Sequence, residues 1–396
     1  MDFKTRKTRQ KQRMTRRAVW VSMVCFGLIV LLGAAYGSGR FPFRQQAAIQ
    51  AAVEEQTLTM DEKADRIVAG MSLAEKVGQM MMIGVKGKDV NDDSLYMLHE
   101  YHMGGVIFFD RNMENKEQVK KFTDDLQKQA NEKVPLFIAV DEEGGEVARM
   151  KEAFPPPPAQ KKLGQEGDPA AAELWAVKTA KGLKEMGFNV NFAPVADVGS
   201  NDTRSYSKDP AVVTNFVRAA AKGYEQEKIM YSLKHFPGIG KGKVDSHIDA
   251  DQIQADSKTL ASEDFVPFQM MIQEKDPDGY FILVSHLTYP MLDAEQPASL
   301  SKKIVTGVLR DEMGYKGLII TDDMEMGAVA KHYDFRELGV RAVKAGVDIV
   351  MVCHEYEHET AAYNGLLKAV QDGEISQERI DDSVRRIVRA KLLNLL

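Results

Sequence analysis

Tyr231-Ser232-Leu233-Lys234-His235-Phe236-Pro237-Gly238-Ile239-Gly240 decides how the whole chain is read. The run is short and continuous rather than alternating with polar residues, which is the look of a strand buried on both faces of a parallel sheet. It carries an ammonium and an imidazole at its end. A Gly/Pro-shaped turn follows, where Gly238, Gly240 and Gly242 allow bends closed to residues with a Cβ. Just beyond, Asp245-Ser246-His247 sets a carboxylate and an imidazole two residues apart, on one side of an extended chain. A carboxylate so placed orients the imidazole and raises its basicity, as proton transfer requires.

Working outward, apolar runs of the same kind recur at 79–84, 105–109, 136–141 and 190–197, and again at 279–286, 317–323 and 347–352. Between them lie stretches of helical length and period at 92–102, 116–131, 170–186, 211–227, 262–274, 302–313 and 336–345, with 359–371 and 377–393 closing the chain. Eight strands alternating with helices predict an α/β fold, a TIM (β/α)8 barrel in one catalytic domain. A doubly wound open sheet is the structural alternative. Polar residues fall at the run ends: Asp141, Asp197, Lys234 with His235, His286 and Asp322. Such groups are costly to bury on apolar strands. In a barrel those ends share one face, where several strands jointly build a site.

The 396 residues are 44% hydrophobic, ample for a large core, and the two cysteines are too few for a disulfide framework. Residues 1–17 hold eight Lys/Arg against one Asp, and residues 18–36 carry no charge. Nineteen helical residues span about 28 Å, close to the hydrocarbon thickness of a bilayer. The expected organisation is a basic cytoplasmic tail (1–17), a transmembrane signal anchor (18–36), a stem (37–58) and a barrel domain (59–396). The positive flank stays inside, which places the barrel outside the cell membrane. Cleavage near Ala35-Tyr36-Gly37, giving a secreted protein, is the alternative. The chain is −6 overall, so without its +7 tail the remainder is −13. That charge disfavours nucleic acid, and no basic stripe with interleaved aromatics is present.

Thr321-Asp322-Asp323-Met324-Glu325-Met326 leaves the seventh run. A carboxylate held there by a strand is placed to act as a nucleophile, whereas the plainer role for one Asp is a helix N-cap. We assign attack to Asp322, nearer the strand. Asp141-Glu142-Glu143-Gly144-Gly145 suits bidentate hydrogen bonding to vicinal hydroxyls, or is a solvated acidic turn. His354-Glu355-Tyr356-Glu357-His358 matches the H-E-x-x-H pattern of zinc proteases. That pattern works only on a continuous helix, and here it follows a strand with no third histidine after it, so a chance match is the better account.

Together these segments resemble the single-domain β-N-acetylglucosaminidases of glycoside hydrolase family 3, from about Met60 to the C-terminus. The most specific part is Lys234-His235-Phe236-Pro237-Gly238 with Asp245-Ser246-His247. Asp141-Glu142-Glu143-Gly144-Gly145, Asn191-Phe192-Ala193-Pro194-Val195, Arg204-Ser205-Tyr206 and Thr321-Asp322-Asp323 support it. The resemblance implies a TIM barrel and a retaining two-step mechanism. Asp322 would be the nucleophile and His247 the general acid and then base, tuned by Asp245. Asp141, Arg149, Arg204, Lys234 and His235 would hold the hydroxyls of GlcNAc, with the acetamido pocket near Met326. No metal or organic cofactor is implied. The implied substrate is non-reducing β-GlcNAc on peptidoglycan fragments. The family commonly has His where this chain has Ile239. A phosphorylase of the same fold and a non-catalytic glycan-binding wall module are the competing functions.

Overall fold

The computed structural model describes residues 57–130, 133–151, 155–199, 203–242 and 252–396. The expected tail and anchor, the stem up to residue 56, and both Asp245 and His247 lie outside the described residues. Among the described residues, no helix is long and apolar enough to cross a membrane.

Met60–Leu396 is one compact unit. Its strands β1 (Met81–Gly84), β2 (Gly105–Phe108), β3 (Phe137–Val140), β4 (Val190–Asn191), β5 (Met230–Phe236), β6 (Tyr280–Val284), β7 (Leu318–Asp323) and β8 (Ile349–Val352) form a closed barrel in sequence order, with β8 returning to β1. Every pairing is parallel. Closure removes the open-sheet alternative. The runs read as continuous because both faces are covered: β1, β2, β3 and β8 are buried at every residue, by barrel filling inside and helices outside.

Two expected elements are corrected. The fourth strand stops at Asn191 rather than 197, because Pro194 has no N–H for the ladder; only Val195 regains a single bridge, to Lys234. The helix expected at 262–274 starts earlier and in pieces: Ser257–Thr259, a wide turn Leu260–Asp264, then Val266–Glu274. Phe265 N–H reaches back five residues to Leu260 O at 2.9 Å, and Pro267 supplies no N–H to continue the regular ladder. Elsewhere caps set the starts. Asp168 and Asp209 accept from Ala170 and Ala211 N–H at 3.0 and 2.8 Å, and a proline occupies the first turn of each following helix.

At the N-terminal end of the barrel, the last helix (Gln377–Asn394) inserts Lys391. Its Nζ donates to Gln79 Oε1 at 2.7 Å and Gly104 O at 2.8 Å, and lies 4.8 Å from the centre of the Phe137 ring. The opposite end, where the strands finish, is left to the polar residues.

Candidate active site

Two strands break register where they carry the site. Between Leu233 and Phe236, β5 advances three residues while β6 advances two, from Ile282 to Val284. Between Ile320 and Asp323, β7 does the same against Ile349 and Met351 of β8. A bulge of this kind re-aims side chains that a regular pleat would send to opposite faces. Lys234 and His235 on β5 thus both reach the polar cluster, and Asp322 stands on the second bulge. The turn after β5 packs hard against the turn after β4. A Cβ on Gly240 would lie 2.3 Å from Val198 O, and Gly238 holds φ +129°.

Lys234, 2% exposed, donates to Asp141 Oδ1 at 2.6 Å and to Glu143 Oε1 at 2.7 Å. Arg204 grips the same Glu143 with its fork, Nε to Oε2 at 2.8 Å and Nη2 to Oε1 at 2.7 Å. Two cations and two carboxylates therefore balance in one buried group. Burial pushes the Glu143 carboxyl up, but the Lys234 and Arg204 charges outweigh it and hold it well below the usual carboxylate range. Burial likewise opposes the Lys234 charge, and Asp141 and Glu143 more than restore it. The three successive acids divide by pleat: Asp141 and Glu143 face the cations, while Glu142 turns the other way. There its Oε2 accepts Arg149 N–H at 2.8 Å, and burial lifts its carboxyl to about 7.

His235 is locked by partners on both nitrogens. Nδ1 lies 2.8 Å from Asp197 Oδ2, and Nε2 lies 3.1 Å from Arg204 Nη2. Because the guanidinium can only donate, Nε2 accepts and Nδ1–H donates to Asp197. Asp197 Oδ1 also accepts the backbone N–H groups of His235 (3.0 Å) and Ile239 (2.9 Å). At 239 the backbone makes this contact, so a change of side chain there leaves the link intact.

Asp322 keeps partial exposure at the mouth, accepts Asp323 N–H at 3.0 Å and makes no ion pair among the described residues. Burial raises its carboxyl, yet the polar groups of His235 and His286 around it and, as the standing charge, the Lys234 ammonium leave it below the ordinary value. His286 is itself held neutral by burial. Its Nε2–H donates to Asp323 O at 2.9 Å and its Nδ1 accepts from Ser299 Oγ at 2.7 Å.

Of the residues singled out in the sequence, Asp141, Arg204, Lys234 and His235 form one contiguous cluster. Arg149 joins it at the edge, Nη2 to Asp141 Oδ2 at 3.8 Å. Met326, 6% exposed, lies under the Asp322 turn, its N–H on Asp323 O at 3.0 Å. Asp245 and His247 are outside the described residues. Glu143, Asp197 and His286 were not selected as site residues. Asp197 and His286 were visible as polar strand ends and Glu143 as the pleat-mate of Asp141. The H-E-x-x-H match falls across a boundary: the helix begins at Tyr356, so His354 precedes it.

The glycosyl hydrolase family 3 N-terminal domain matches residues 72–390. "Beta-hexosaminidase A" of Pseudoalteromonas piscicida is 32% identical over 329 residues, 74% of this chain and 54% of that protein. "Beta-hexosaminidase" of Bordetella avium is 34% identical over 289 residues, 69% of this chain and 80% of that protein. A family 3 β-N-acetylglucosaminidase structure from Paenibacillus sp. superposes with a TM-score of 0.80 at 35% identity, covering 82% of this chain and 63% of that one. This chain thus spans little more than half the length of the Pseudoalteromonas relative.

Proposed function

The chain belongs to glycosyl hydrolase family 3, and on that premise we propose that it is a retaining β-N-acetylglucosaminidase that removes non-reducing GlcNAc from peptidoglycan fragments. The observation that carries this reading is Asp322: an ionised carboxylate, seated on a bulge at the barrel mouth, with no salt-bridge partner among the described residues to blunt it. A carboxylate paired only for stability would be neutralised by a cation at contact distance, as Glu143 is. Asp322 instead has its charge supported from a distance and stays available to carbon.

In this reading Asp322 attacks the anomeric carbon and forms a glycosyl-enzyme, while His247 gives its proton to the departing glycosidic oxygen. His247 then takes a proton from water, which attacks the same carbon and releases Asp322. Asp245 orients the imidazole. Lys234, Arg204, Asp141 and Arg149 supply donors and acceptors for sugar hydroxyls, His235 lies beside them against Arg204, and Met326 borders the acetamido pocket. The uncharged run at residues 18–36 supports a barrel held at the outer face of the cell membrane, where wall fragments occur.

The test is hydrolysis of an aryl β-GlcNAc beside the matching aryl β-glucoside, with and without phosphate. GlcNAc release independent of phosphate is expected. Phosphate-dependent formation of the sugar 1-phosphate makes the protein a phosphorylase, and cleavage of neither sugar favours a glycan-binding role. Asp322→Asn is expected to abolish turnover with folding intact; near-normal rates would assign attack elsewhere.

A further inference from the structure

The H-E-x-x-H segment is not absorbed by the chemistry above, yet both of its histidines are spent on one short stretch of chain. His354 Nε2 lies 3.1 Å from Asp323 Oδ2, and His358 Nδ1 lies 2.6 Å from Glu325 Oε1. Asp323 ends β7 directly after Asp322, and Glu325 follows it in the next turn. We propose that His354 and His358 form a two-point clamp on residues 323–325 and that, through Asp323, His354 positions the Asp322 carboxylate for attack. The inference rests on the reading of Asp322 as the nucleophile.

The need for a clamp follows from the bulge. Past Ile320, β7 falls out of step with β8, so the backbone ladder that would immobilise a strand residue is interrupted where Asp322 sits. Side chains replace it. Every polar group of Asp323 is engaged: N–H on Asp322 Oδ1 at 3.0 Å, O receiving His286 Nε2 at 2.9 Å, Oδ1 receiving Glu325 N–H at 3.0 Å, and Oδ2 facing His354. Asp323 thus touches the nucleophile and is gripped by residues that follow both β6 and β8.

The histidines are themselves fixed. Arg111 Nη1 lies 2.9 Å from His354 Nδ1, and a guanidinium only donates; Nδ1 therefore accepts and Nε2–H is the donor toward Asp323. Arg111 Nη2 also donates to Cys353 O at 2.6 Å, and the His354 ring rests on Phe109 with centroids 5.0 Å apart. His358 stacks on Phe335 at 3.9 Å and 12°. Its partner Glu325 further receives the N–H groups of Cys353 (2.9 Å) and Glu355 (3.1 Å), which ties the loop after β7 to the start of the helix after β8. The spacing that suggested a metal is met by two carboxylates of the same chain.

The experiment compares the full chain with His354→Ala, His354→Gln and His358→Ala, beside Asp322→Asn. The readouts are kcat/KM on an aryl β-GlcNAc, the inhibition constant of free GlcNAc and the thermal midpoint. Because the His354 side chain is 44% exposed, its removal leaves no sealed void, so the variant folds. A misplaced nucleophile lowers kcat/KM about 10- to 100-fold in His354→Ala while GlcNAc still binds as before. The Gln amide stands where Nε2–H stood and restores most of the rate. His358→Ala gives a smaller loss of the same kind. Unchanged kcat/KM in His354→Ala overturns the clamp. Equal loss of rate and of GlcNAc affinity, or no recovery with Gln, also overturns it, by making His354 a ligand or a general structural contact. An active Asp322→Asn overturns the nucleophile reading and the clamp with it, which separates that failure from failure of the clamp alone.

Discussion

Replacing Glu359 by Gln is expected to stabilise the protein, and to do so more as pH rises. Glu359 is 1% exposed in the helix Tyr356–Gln371, and among the described residues neither of its oxygens has a hydrogen-bonding partner of good geometry. Burial, with Glu325 adding to it, pushes its carboxyl from an ordinary 4.5 to about 9; the Gly84 backbone N–H, Lys86 and Arg111 offset little. The folded chain therefore holds a proton there that the unfolded chain gives up above 4.5. Since the unfolded state binds fewer protons throughout that window, stability falls as pH rises from 4.5 to 9. At about 1.4 kcal/mol per pH unit, the wild-type penalty is about 3 kcal/mol at pH 7. A Gln side chain of the same shape does not ionise and has no such slope. Urea unfolding of both proteins at pH 5, 7 and 8 checks this. The stability difference in favour of Gln is expected to widen by about 4 kcal/mol between pH 5 and pH 8. Parallel pH curves would mean that Glu359 is ionised in the folded protein and that burial does not hold its proton.

Glu143→Gln leaves Lys234 and Arg204 buried without their shared carboxylate, and about 3 kcal/mol of stability is expected to go with it, read by denaturant unfolding, together with weaker inhibition by GlcNAc. Lys391 has the opposite sign to Glu359. Burial lowers its ammonium from 10.5 to about 7, so the unfolded chain binds more protons between those values and stability rises with pH across them. Lys391→Met removes that slope, and the wild type is expected to gain on the variant by about 1.4 kcal/mol per unit from pH 7.5 to 10 in paired melts. His247→Ala is expected to slow glycosides with poor leaving groups far more than activated aryl glycosides; equal losses would remove it from the acid role.

The barrel was legible because burial on both faces writes itself into composition. Runs such as Ile349–Val352 must be apolar at every position, and no amphipathic alternation competes with that pattern. The site's location was legible for a related reason. Asp141, Lys234, His235 and Asp322 each interrupt an apolar run at its end, and parallel strands gather those ends on one face. What the sequence left open is who meets whom. The Arg204 fork closes on Glu143 across 61 positions, and Arg111 reaches His354 across 243, separations that carry no local signature. The bulges in β5 and β7 arise from register against a neighbouring strand, so neither strand's own pattern announces them. H-E-x-x-H shows the limit most clearly. Its spacing was plain in the sequence, but its partners are set by which strands lie side by side, and only the pairing of β7 with β8 brings Asp323 and Glu325 within reach of the two histidines.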